Sequence, residues 1–121
     1  MNRMCWIMKE IKAYFRPQFV DPVVEALEQA GAKDLTVIRV DAFGPLADTY
    51  SAGHHFVHKY VEKYSGVVKL ELVCRDEDAS RFAEVIRDHA YSGQHGDGRV
   101  FVAPVEDAVN IRTGATGSQA L

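Results

Sequence analysis

At 121 residues, with 47% hydrophobic and 26% charged side chains, the chain is sized for one domain with a real core. Its net charge of −3 gives no general attraction to nucleic acid or to an anionic membrane surface. No segment reaches the length of a membrane span, so neither a nucleic-acid partner nor direct membrane insertion is expected.

Met1 to Ile7 lacks the long apolar core of a signal peptide and reads as an N-terminal extension, with Met4 and Met8 both plausible alternative starts. Met8 to Phe15 alternates, with Ile11, Ala13 and Phe15 on one face and Glu10, Lys12 and Tyr14 on the other, which predicts a half-buried strand. Arg16-Pro17 ends it. Asp21-Pro22 predicts a helix start, with the acid as N-cap and proline at the first helical position. Val23, Val24, Leu27 and Ala30 recur at helical spacing before Gly31 closes the helix. Leu35 to Phe43, rich in β-branched residues, predicts a second strand.

Pro45 to Gly66 is long for a connection inside one domain, which points to function or disorder. Phe56, Val57, Tyr60, Val61 and Tyr64 fall at helical spacing along it, fitting either a helix that docks on a partner or one that packs on the body of the protein. His54, His55 and His58 sit in the same segment; His54 and His58 are one turn apart, with Glu62 a further turn on. That pattern can serve transition-metal ligation, although a solvated polar face containing histidine is the commoner reading.

Val67 to Cys74 predicts a third strand, with Val68, Leu70 and Leu72 facing one way and Lys69 and Glu71 the other. Cys5 and Cys74 stand far apart without metal-type spacing, which fits a reduced, cytoplasmic setting with Cys74 as a small core residue. Asp76-Glu77-Asp78 places negative charge where a helix dipole favours it, and Phe82, Ala83, Ile86 and Ala90 form the buried stripe that follows. His89 fits the last turn of that helix as a cap, and His95 beyond it is expected to be exposed. The glycine loop Ser92-Gly93-Gln94-His95-Gly96-Asp97-Gly98-Arg99 feeds a fourth, apolar strand, Val100 to Val102. Glycines let main-chain N–H groups approach an anion, and arginine adds a fork of donors suited to phosphate; the same glycines also suit an ordinary turn. Gly114 to Ser118 is small and polar and is expected to be mobile. The order βαββαβ predicts an α+β, ferredoxin-like sandwich with two helices on one face of a four-stranded sheet.

Gly93 to Val102, with Val105-Glu106-Asp107-Ala108 and Ile111-Arg112-Thr113-Gly114, resembles the C-terminal signature of the PII signal-transduction family. Met8 to Ala13, Arg16-Pro17, Val24 to Leu27, Gly31, Leu35 to Val37 and Phe43-Gly44 agree with it. The resemblance makes residues 8–114 the PII-like domain, 45–66 its long partner-docking loop (the T-loop), and 1–7 and 115–121 an extension and a tail. It implies a homotrimer, a sensor and not an enzyme, that binds ADP, AMP or ATP in clefts between subunits and docks on a transporter or enzyme. By the same carry-over Gly96, Asp97, Gly98 and Arg99 hold phosphates, Arg112 reaches a phosphate from its own or a neighbouring subunit, and Thr36, Gly44 and Val73 lie around the adenosine.

The departures narrow this. Leu46, in the pair Pro45-Leu46, stands where the family has a glutamine that helps carry 2-oxoglutarate through magnesium, and Val67 where it has a lysine for the 2-oxoglutarate carboxylate. Neither replacement serves, so the usual 2-oxoglutarate sensing is not expected, and the second effector stays open between a small anion and a transition metal. Asn110 replaces a basic residue near the terminal phosphates, which favours ADP or AMP over ATP by about 1–3 kcal/mol. Tyr50 and Tyr60 lie in unmatched sequence and give no clear counterpart to the tyrosine modified in some members. A metal-responsive trimer using His54, His55 and His58 is the alternative, and slow nucleotide hydrolysis in the same cleft a third reading.

Overall fold

The computed structural model describes residues 7–43 and 66–121. Four strands, β1 (Met8–Phe15), β2 (Thr36–Val40), β3 (Val67–Arg75) and β4 (Arg99–Pro104), form one antiparallel sheet in the order β2-β3-β1-β4. Two helices, α1 (Val20–Gln29) and α2 (Asp76–Ala90), connect β1 to β2 and β3 to β4. This is the ferredoxin-like α+β arrangement.

The period-two alternation of β1 and β3 decides which face is covered. Ile11, Ala13 and Phe15 join Val68, Leu70, Leu72 and Cys74 in one cluster with Val23 and Leu27 of α1 and Ala79, Phe82, Ile86 and Ala90 of α2. Ala79 joins the expected stripe of α2, while Ala83 is only half-buried. Burial pushes the Cys74 thiol up to about 11, with Asp78 and Asp76 adding to the shift, so this cysteine is an uncharged core group. The opposite face carries cross-strand rows read from the register: Thr36, Glu71, Lys12 and Phe101, then Ile38, Lys69, Tyr14 and Arg99. Lys69 pairs with Glu71 at 2.8 Å, and the Tyr14 and Phe101 rings meet edge to face with centroids 6.1 Å apart.

Several boundaries differ from the sequence reading. A 3-10 turn over Pro17–Phe19 runs straight into α1, which begins at Val20, with Phe19 and not Asp21 at the N-cap. Pro22 is accommodated because the first turn has no N–H bond to lose. Strand β2 is shorter than expected. Strand β4 is longer, and Pro104 is tolerated at its end because β4 is an edge. Arg81 ties the helices together, donating to Ala30 O at 2.5 Å and to Asp78 at 2.8 Å. His89 does cap within the last turn of α2, its Nδ1 2.8 Å from Val85 O.

Residues 114–118, expected to be mobile from composition, take definite backbone partners. Val109 bridges Thr116, a 3-10 turn follows over Gly117–Ala120, and Gly117 N donates to Ala108 O at 3.0 Å. Among the described residues no helix is long and apolar enough to cross a membrane.

Candidate functional site

The loop between α2 and β4 is built around one carboxylate. Asp97 Oδ2 accepts the main-chain N–H groups of Ser92 and Gly93, each at 2.8 Å. Its Oδ1 accepts the Ser92 hydroxyl and, at 2.8 Å, Arg16 Nη1. Arg16 also donates to Ser92 Oγ at 3.0 Å and to the main-chain oxygen of His95. One guanidinium at the end of β1 therefore clamps a loop far away in the chain, and the extended backbone that Pro17 imposes on Arg16 helps aim it.

Burial alone would push the Asp97 pKa up. The bonds from Ser92 and Gly93 and the Arg16 charge outweigh that and hold it below its ordinary value. A depressed carboxylate contributes its stability in full above the unfolded pKa, about 3.9, and loses it as pH falls through the folded value. Asp97→Asn, which keeps one acceptor oxygen and loses the charge, is expected to cost about 1–3 kcal/mol at pH 7. Urea unfolding of both proteins at pH 7 and pH 3 checks this; the gap between them should shrink at the lower pH.

With Asp97 engaged in organising the loop, Gly98 and Arg99 are the exposed members of the group, and Gly96, like Asp97, is half-buried. Gly96 and Gly98 hold φ of +87° and +115°. Gly98 has a further constraint: a Cβ there would stand 1.8 Å from the main-chain oxygen of Tyr14. Arg99 opens β4 opposite Tyr14 and is exposed, with no ion-pair partner among the described residues. A hollow of about 510 Å³ runs from Gly98 and Arg99 to Arg87 and Tyr91 of α2 and its end.

Thr36 and Val73 line a second hollow of about 470 Å³, together with Glu71, Arg75, Ala120 and Leu121. It lies towards β2, whereas Arg99 lies on β4, three strand spacings or about 14 Å across the sheet. Within one chain the structure thus brings Gly96, Asp97, Gly98 and Arg99 together, brings Thr36 and Val73 together, and keeps the two groups apart. Arg112 belongs to neither; it stands exposed on the turn 110–115 beside Ile111, which is 100% exposed.

Gly44, Pro45, Leu46, the tyrosines Tyr50 and Tyr60, the stripe from Phe56 to Tyr64 and the histidines His54, His55 and His58 lie outside the described residues. Among the described residues no three His, Cys, Asp or Glu side chains are grouped to hold a metal ion. Val67, at the start of β3, is buried. Arg16 and Ser92 shape the loop without any local mark in the sequence; an arginine before a proline signals a strand end and gives no sign of its distant partner.

A four-stranded antiparallel sheet with both helices on one face and a glycine loop entering its edge strand defines a ferredoxin-like domain. The sequence matches the family profile described as "Nitrogen regulatory protein P-II" over residues 8–115. It is 38% identical to the nitrogen regulatory protein P-II of Rhizobium meliloti (strain 1021) over 117 residues, covering 94% of this chain and 100% of that protein. It is 36% identical over 116 residues to nitrogen regulatory protein GlnK2 of Haloferax mediterranei, covering 94% and 91% of the two chains. A crystal structure of Arabidopsis thaliana PII bound to citrate superposes with a TM-score of 0.77 at 29% identity, over 95% of this chain and 92% of that one. The chain belongs to the nitrogen regulatory protein P-II family, whose members are regulatory proteins.

Proposed function

We propose that this chain is a homotrimeric sensor that binds an adenine nucleotide, ADP or AMP ahead of ATP, in clefts shared by neighbouring subunits. The observation that carries the reading is the separation just described. Donors suited to phosphate gather at one edge of the sheet and a hollow sized for a nucleoside gathers towards the other, so two subunits placed edge to edge complete what one leaves open. Exposed apolar groups supply the contact: Phe101 and Val102 on β4, Ile38 on β2, and Val109 and Ile111 on the turn.

In the cleft, main-chain N–H groups from Gly96 to Gly98 and the Arg99 fork hold the phosphates, and Arg112 adds a second cation. Thr36, Gly44 and Val73 line the adenosine. Asp97 serves the cradle by shaping it and does not touch phosphate. Leu46 and the buried Val67 offer no group for 2-oxoglutarate, so any second effector is held by another route. Nucleotide occupancy biases the segment 45–66 between forms that do and do not dock on a transporter or enzyme, which requires unequal affinity for the two forms. The setting is cytoplasmic.

The test is light scattering combined with calorimetric titration of ADP, AMP and ATP. A trimer that binds ADP or AMP more tightly than ATP is expected. A monomer, or a trimer indifferent to all three, removes the reading.

A further inference from the structure

Arg112 stands on a turn that main-chain bonds close and that one amide side chain braces directly at Arg112. Asn110 Oδ1 accepts the main-chain N–H of Arg112 at 3.0 Å and that of Thr113 at 3.1 Å. The Asn110 main chain closes the same turn from both sides, its N–H donating to Ala115 O at 2.9 Å and its oxygen accepting from Gly114 N at 2.8 Å. The amide nitrogen is also engaged, donating to Ala120 O at 3.3 Å, and Ala120 borders the hollow that holds Thr36 and Val73. Both ends of the side chain are thus committed within the protein. The Arg112 guanidinium, by contrast, is exposed and meets no partner among the described residues.

From this we infer that Asn110 is a positioning residue for Arg112: it sets the backbone from which Arg112 reaches the nucleotide phosphates, and it touches no phosphate itself. The inference rests on the nucleotide-binding reading above. A free arginine on an unanchored turn samples many directions, and ordering it on binding costs entropy; a turn fixed beforehand avoids much of that cost. An amide suits the task, because it accepts two N–H groups with one oxygen while its nitrogen donates elsewhere. Alanine would leave Arg112 present but unaimed. Serine, whose hydroxyl can accept from the same N–H groups more weakly, would retain part of the effect.

The experiment is a double-mutant cycle read as ADP affinity on the full chain: unaltered, N110A, R112A and the combination, with N110S alone and in the R112A background. If Asn110 acts through Arg112, N110A weakens ADP binding about tenfold in the unaltered chain and has almost no effect once Arg112 is gone. N110S falls between. A general loss of structure would weaken binding in both backgrounds, so equal losses overturn the inference, as does an N110A protein that binds like the unaltered chain. If N110A does not fold, N110S carries the same comparison, with the same two results overturning it. Failure of the unaltered chain to bind ADP overturns the nucleotide reading and this one together, whereas binding that depends on Arg112 but not on Asn110 overturns this one alone.

Discussion

Gly98→Ala is expected to be the most damaging single-methyl change in the described part of the chain, lowering stability by about 3–5 kcal/mol. Two effects combine. The residue holds φ at +115°, a region that side chains with a Cβ rarely adopt. The added carbon would also lie 1.8 Å from Tyr14 O and 2.8 Å from Tyr14 C, and both are backbone atoms that cannot swing away. Relief requires β1 and the entry to β4 to part where they pair through Tyr14 and Arg99. Gly31→Ala is the control. It shares a positive φ, +99°, but a Cβ there meets nothing within 4 Å, so only the backbone strain remains. Urea midpoints of the two variants should differ by several-fold in the stability lost. Equal losses would mean that the crowding at Tyr14 has no energetic weight.

The second large effect is on binding. Arg99→Ala should weaken ADP by about 10- to 100-fold, the range expected when a charge-assisted hydrogen bond of about 1.5–3 kcal/mol is removed. Its folding should be almost unaffected, because the side chain is exposed and has no partner among the described residues. Arg99→Lys should recover part of the affinity, since it restores the charge but not the planar fork. Calorimetry with ADP reads all three proteins. Unchanged affinity in the alanine variant would detach Arg99 from the site.

The strands and helices were legible because their apolar residues follow simple periods. Alternation along Met8 to Phe15 and Val67 to Cys74 told which face would be buried, and Val23 with Leu27 did the same for α1. The helix start was less legible, because Pro17 and Pro22 are both acceptable in a first turn and local chemistry does not choose between them. The glycine loop was visible as a loop, but its logic was not. Asp97 reads, by the family resemblance, as one of the residues that hold phosphate, and its bonds within the loop stay hidden until Arg16 is seen to bridge to it across 81 positions of sequence. Gly98 reads as a residue freed to approach an anion, whereas its nearest constraint is the backbone of β1. Asn110 reads as a missing cation, and only its hydrogen bonds show that it shapes the turn. The roles of Asp97 and Gly98 depend on partners that folding brings in from β1, which spacing along one chain cannot reveal, whereas the Asn110 contacts lie within its own turn and the residues just after it.

The claim on which the function rests is that one nucleotide is held by two subunits. Mixed trimers test it most directly. One chain carries Arg99→Ala and is defective at the phosphate edge; the other carries Val73→Arg, which fills the nucleoside hollow. Co-expressed with different tags and purified through both, every mixed trimer contains a single junction at which an unaltered Val73 faces an unaltered Arg99. Calorimetry should then show ADP binding at that junction with the affinity of the unaltered protein, although each parent trimer binds poorly. Mixed trimers that bind no better than their parents would contradict the shared cleft.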